Sequence, residues 1–153
     1  MTRAETAKEL FKSGYACSQA VALAFANLTG LDEAALSKAM LPFGGGLGRL
    51  RLTCGAVSGM AAAYGLICAK AENTPENKKE TYAAVQELCA KFKAENGSLI
   101  CADLLSGMNL QFEVGGEAEK RTGEYYKKRA CADMVYRAAE LLEEYLKKKG
   151  ILQ

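Results

Sequence analysis

Start and stop signals for helices punctuate this chain almost from end to end. Thr2 followed by Glu5 is a capping box, and the helix it opens is predicted to run to Ser13 and stop at Gly14. A second helix is predicted from Cys17 to Leu28, with Cys17, Val21, Phe25 and Leu28 on its apolar face and Gly30 beyond it. Asp32 caps a third, which Pro42 closes after Leu41. Thr53 is the predicted cap of a helix from Cys54 to Lys70. Thr74 and Pro75 start another that reaches Gly97, with Tyr82, Val85, Leu88, Cys89 and Phe92 along it. Ser98 is read as the cap of a short helix through Leu105. The last helix, Cys131 to Lys149, carries Met134, Val135, Ala138, Leu141, Leu142, Tyr145 and Leu146 on one face, and lysines crowd its C-terminus as the dipole favours. Residues 107–129 are the least regular, with only a weak extended signal at Leu110–Val114. The expectation is an all-α chain, one helical bundle of about seven helices over residues 1–153.

A chain of this length buries roughly 68–70% of its unfolded surface, so it needs no disulfide staple to fold. Its net charge of +2 is too weak to argue for nucleic acid or an anionic membrane as partner. No apolar run reaches the ~18 residues that span a bilayer, so no membrane insertion is expected. The charged, amphipathic N-terminus lacks the apolar stretch of a secretory signal. The expected location is the cytoplasm, where thiols are kept reduced.

The chain contains no histidine. Ser–His and Cys–His nucleophile pairs are therefore excluded within one chain, as are mixed Cys/His zinc sites and c-type haem attachment. Six cysteines remain: Cys17, Cys54, Cys68, Cys89, Cys101 and Cys131, with no C-x-x-C among them. Four of these, Cys17, Cys54, Cys101 and Cys131, fall at or near predicted helix starts. A helix N-terminus carries unpaired N–H groups and partial positive charge, which stabilise a thiolate. Arg49 and Arg51 precede Cys54, and Lys127, Lys128 and Arg129 precede Cys131, adding cations to that expectation. Cys68 lies about 21 Å along a straight helix from Cys54, and Cys89 sits late in an apolar stripe. Both read as small core hydrophobes.

The segment FGGGLGRLRLTCGAVSG, residues 43–59, packs Gly44, Gly45, Gly46 and Gly48 into five positions. It is not a Walker A loop, because no lysine follows the glycines. It is not a Rossmann fingerprint either, because Arg49 stands where the last glycine belongs and no strand precedes it. The simpler reading is backbone clearance beside Cys54, shared by Gly55 and Gly59 in the following helix. A nest of backbone N–H groups, aided by Arg49 and Arg51, is the alternative for an anion.

CSQAVALAF at 17–25, the segment at 43–60, Cys101 in GSLICADLL and Cys131 in RACADMVYRAAELLEE together resemble a known pattern. The chain is similar to the redox-active protein family with four characteristic cysteines and a central C-G-A-x-x-G signature, here Cys54 to Gly59. The resemblance implies a small helical protein with a redox or electron-transfer partner, in which Cys17, Cys54, Cys101 and Cys131 are the functional cysteines. Related domains joined to c-type haem imply electron transfer, but the haem part has no counterpart here.

Three readings stay open on the residues. One is thiol–disulfide redox, in which one thiolate attacks and a second resolves. Another is a four-thiolate metal site on the same cysteines, with a [2Fe–2S] centre as the form that suits them first; Gly44, Gly45, Gly46, Gly48, Arg49, Gly55 and Gly59 would then flank it. Zinc fits less well, because its ligands come as close sequence pairs. The last is a helical interaction domain whose cysteines only fill the core.

Overall fold

The Thr2 hydroxyl accepts the backbone N–H of Glu5 at 3.1 Å, and the Glu5 carboxylate accepts that of Thr2 at 2.8 Å. That capping box opens α1 (Arg3–Lys12), the first of nine helices among the described residues. The computed structural model covers Met1–Gln153 and describes every residue except the side chains of Lys127 and Lys128. The helices that follow are α2 (Cys17–Leu23), α3 (Ala26–Thr29), α4 (Glu33–Met40), α5 (Gly55–Cys68), α6 (Pro75–Asn96), α7 (Cys101–Gly107), α8 (Gly123–Lys128) and α9 (Cys131–Lys148). Seven of them have seven or more residues. The only β pairing among the described residues is an isolated antiparallel bridge between Thr53 and Ile100. The fold is all-α.

Several predicted ends agree with the structure because their signals are local. Asp32 accepts the N–H of Ala35, Thr74 accepts that of Asn77, and Gly30 and Gly97 take left-handed conformations at φ 77° and 93°. Other ends differ because a distant residue intervenes. The single helix predicted over 17–28 is two, broken at Phe25 (φ −112°, ψ 12°). Arg3, from α1, donates to the Ala24 carbonyl and to Asn27 Oδ1, each at 2.8 Å, and holds the break. Thr53 does not cap α5; it lies in the bridge, and Cys54 takes the cap position. Ser98 does not cap α7 either. Its hydroxyl serves the turn before that helix, accepting from Ile100 N at 3.0 Å and donating to Asp103 at 2.9 Å. The segment 107–129 is irregular except for α8, which Thr122 caps.

The core lies among α1, α2, α5, α6 and α9 and includes Phe11, Phe25, Met60, Leu88, Phe92, Leu142 and Leu146. Burying each such side chain contributes about 1.5–3 kcal/mol. Helix α5 packs against α2, α3, α6 and α9, and α1 packs against α2 and α9. A Cβ at Gly59 would stand 2.5 Å from the Ser18 carbonyl oxygen, so glycine there sets how closely α2 and α5 approach. The N-terminus of α2 is fixed from the side: the Ser18 hydroxyl donates to the Met40 carbonyl at 2.7 Å, and Gln19 bonds Ser37 and accepts from Ala16 N.

Candidate four-cysteine site

Residues 43–52 form the most unusual backbone in the molecule. Gly45, Gly46, Leu47, Gly48 and Arg49 have successive φ values of 66°, 76°, 71°, 55° and 64°, and Arg51 follows at 62°. A run of left-handed residues costs L-amino acids roughly 1–2 kcal/mol each, which three glycines relieve and Leu47, Arg49 and Arg51 do not. Glycine at 46 has a further reason, since a Cβ there would stand 2.6 Å from Leu52 N and 2.7 Å from the Cys101 Cβ. At Gly44 a Cβ would stand 2.9 Å from that of Ala16. Gly48 is required by its φ alone, because its surroundings are open.

This turn is stitched to the start of α7. Cys101 N donates to Leu52 O at 2.5 Å, Ala102 N to Arg51 O at 3.1 Å, and Cys54 N to Leu99 O at 2.8 Å. The pairing sets Cys54, at the head of α5, beside Cys101, the first residue of α7. Cys17 is the first residue of α2 and Cys131 the first of α9. All four cysteines line one cavity of about 30 Å³, walled by Leu104, Leu105, Met108 and Met134. Of these walls only Met134 is predicted on an apolar face from sequence, yet the spacing carried a signal for all four. Leu104, Leu105 and Met108 follow Cys101 by three, four and seven residues, and Met134 follows Cys131 by three, so each shares its cysteine's helix face. Gly55 belongs to the same arrangement, because a Cβ on it would stand 3.0 Å from Cys17 Sγ.

Cys68 and Cys89 are elsewhere. Both are half-buried against the core, and Cys68 faces a separate cavity with Tyr64 and Tyr145. All six cysteines are free thiols in the structure.

The expectation of thiolates stabilised at helix starts is corrected by burial. Desolvation pushes Cys131 up to about 12 and raises Cys54 and Cys101 as well. At Cys54 the N–H groups of Ala56 and Val57 favour the thiolate, as a helix start should, but burial outweighs them. Charge on Cys17 would raise each of the other three, which puts it within electrostatic reach of all of them. The cations also fall differently from their place in sequence. Arg51 precedes Cys54 but places Nη1 3.9 Å from the sulfur of Cys101, where it partly offsets burial. Arg49 pairs with Glu119 at 3.8 Å. Arg129, with Arg121, eases the upward push on Cys131. The side chains of Lys127 and Lys128 lie outside the described residues.

Four thiols are the donor set of an iron–sulfur cluster or a soft metal ion. Among the described residues, however, no three Cys, Asp or Glu side chains are placed to hold a metal ion as they stand. The donor chemistry suits such a group; the placement of the sulfurs does not close on one. Among the described residues, no helix is long and apolar enough to cross a membrane.

No curated protein and no solved structure matches the chain. The family model described as "Putative redox-active protein (C_GCAxxG_C_C)" matches residues 15–145, a span that holds all four cavity cysteines and the motif Cys54-Gly55-Ala56-Val57-Ser58-Gly59. By a match over most of its length, this chain belongs to that redox-active protein family.

Proposed function

We propose that the chain is a two-electron thiol redox protein whose centre is Cys17, Cys54, Cys101 and Cys131. The observation that carries this is the meeting of four thiols, from the heads of four helices, on one small cavity. Two thiols give up two electrons and two protons and form a disulfide; the electrons pass to a disulfide or to an electron carrier. Cys17 and Cys131 are each within electrostatic reach of the other three cysteines, so either suits the common partner in that bond. Cys101 suits the thiol that meets the oxidant. It lies both on the cavity and on the open cleft above it, and Arg51 stands by its sulfur.

A second reading of the same four thiols, an iron–sulfur centre ligated by all of them, has the right donors but requires the sulfurs to draw closer than they stand. When bound, such a cluster would supply one-electron transfer. Glycine at 55 and the N–H groups of Ala56 and Val57 at Cys54 would give room and polarity beside it.

One preparation separates the two. The protein is purified without oxygen and assayed for iron and sulfide before and after reconstitution. Its thiols are then counted by alkylation and mass before and after mild oxidation. Reversible loss of two thiols, with Cys17 or Cys131 in the bridge and no iron retained, is the expected result. Stoichiometric iron and sulfide would replace it with the cluster reading, and six unchanged thiols with no metal would sink both.

A further inference from the structure

Above the four-cysteine cavity lies an open cleft of about 330 Å³, within the range of small-molecule sites. Cys17, Cys101 and Cys131 line it too, so it is the approach from solvent to three of the four thiols. Four arginines line it against a single carboxylate, that of Glu119.

Two of those arginines are committed to the fold. Arg51 donates through Nε to the Glu113 carbonyl at 2.9 Å, and Arg121 donates to the carbonyls of Phe11 and Tyr15 at 3.1 and 3.2 Å. The other two, Arg49 and Arg129, are differently placed. Their side chains are only 12% and 9% exposed, and both reach the same oxygen, Oε1 of Glu119. Burying two guanidinium groups is costly unless each finds good partners; Arg129 also stands 4.9 Å over the Tyr125 ring, but for negative charge the two divide one oxygen, which Arg49 reaches at 3.8 Å. Glu119 itself is 43% exposed and belongs to the irregular segment before α8. Its oxygen marks a seat for a carboxylate between two nearly buried guanidinium groups, and nothing in a helix or strand fixes Glu119 there.

We propose that this cleft binds a small carboxylate-bearing disulfide, its carboxylate displacing Glu119 from Arg49 and Arg129 and its sulfurs reaching the cysteines below. This rests on the thiol–disulfide reading above. A cysteine thiolate attacks one ligand sulfur, a mixed disulfide forms, and the first small thiol leaves and takes up a proton. A second cysteine attacks the mixed disulfide, closing a protein disulfide and releasing the second small thiol. The ligand gains the two electrons that the cysteine pair loses.

The test uses the full chain, reduced, and three probes. 3,3′-Dithiodipropionate is an anionic disulfide, cystamine is a cationic one, and suberate is the sulfur-free counterpart of the first. Thiol loss is followed by quenched alkylation and mass, and suberate binding by calorimetry. Dithiodipropionate is expected to oxidise the centre at least about tenfold faster than cystamine, with that preference lost in Arg49→Gln and Arg129→Gln. Suberate is expected to bind, and to bind several-fold more tightly to Glu119→Gln, which removes the internal competitor from an exposed position and leaves both arginines in place. Equal rates for the two disulfides, or no gain in suberate binding on Glu119→Gln, would overturn the cleft proposal and leave the thiol reading intact. Failure of both disulfides to react, with suberate still bound, would overturn the thiol reading and the proposed substrate together.

Discussion

Gly55 leaves room for the sulfur of Cys17: a Cβ on that glycine would stand 3.0 Å from Cys17 Sγ and 3.0 Å from the Phe43 carbonyl oxygen. The glycine of the motif thus serves a cysteine 38 residues earlier in the chain, from a different helix.

Three glycines of α5 therefore give three outcomes on substitution by alanine. Gly55→Ala crowds the cysteine cavity and is expected to cost about 1 kcal/mol while changing the alkylation rate of Cys17. Gly59→Ala meets the Ser18 backbone at 2.5 Å and is expected to cost more, about 3 kcal/mol, by forcing α2 and α5 apart. Gly65→Ala meets nothing within 4 Å and should gain about 0.5–1 kcal/mol from helix propensity. Denaturant unfolding with thiol mapping checks all three.

The two cysteines outside the cavity should be separable from the four within it. Cys68→Ala and Cys89→Ala remove half-buried sulfur from the edge of the core, at a cost of about 1 kcal/mol or less each. The number of thiols lost on oxidation should stay as in the wild type. Cys54→Ser should keep the helical circular dichroism and change the redox titration. An unaltered titration in Cys54→Ser would remove it from the centre.

Stability should fall at alkaline pH. A thiol raised by burial stays protonated in the folded chain after the unfolded chain has released its proton. Below the ordinary value of 9.0 both states hold the proton and the stabilisation is fully present; for Cys131 it is lost between there and about 12. The slope is about 1.4 kcal/mol per pH unit for each such thiol in that window. Tyr64, Tyr125 and Tyr145 are raised by burial too and add to the same fall. The thiol share is read as the difference between wild type and Cys131→Ala, unfolded under reductant from about pH 7.5 to 10.5, a range that brackets the ordinary thiol value. Parallel curves would show that Cys131 is not buried as described.

Arg51 links the glycine turn, Cys101 and the segment around Glu113. Arg51→Gln removes the guanidinium 3.9 Å from the Cys101 sulfur, so Cys101 should become a weaker acid. Its alkylation at about pH 8 is expected to slow several-fold, alongside a stability loss of about 1–3 kcal/mol. A rate unchanged after correction for unfolded protein would mean that Arg51 does not act on the thiol.

Helix ends were legible where the capping group is a few residues from what it caps, as at Thr2, Asp32, Thr74, Gly30 and Gly97. They were misread where the partner is distant: Arg3 breaks the helix at Phe25, and Ile100 takes Thr53 out of its expected cap. The four cysteines stood out by their position at helix starts. Their approach to one cavity depends on how α2, α5, α7 and α9 pack, which no local pattern encodes. The arginine cleft was only half legible, with Arg49 and Arg51 read as helpers to an anion and the rest hidden for a related reason. Arg121 and Glu119 lie in a segment without periodicity, and only the folded chain brings them to Arg49.

The left-handed turn at Gly45–Arg49 also joins local and distant parts of the chain. A left-handed run is costly for residues other than glycine and needs bonds to hold it. Local bonds close this one, among them Gly48 N on Pro42 O at 2.7 Å, Arg51 N on Gly45 O at 3.1 Å and Leu52 N on Gly46 O at 2.8 Å, and two from far along the chain tie it down: Cys101 N on Leu52 O, and Gly115 N on Arg49 O at 2.8 Å. Contacts of such long sequence separation form late and open early. The ties at Cys101 and Gly115 are therefore expected to loosen before the turn itself, and the shared centre to part with them.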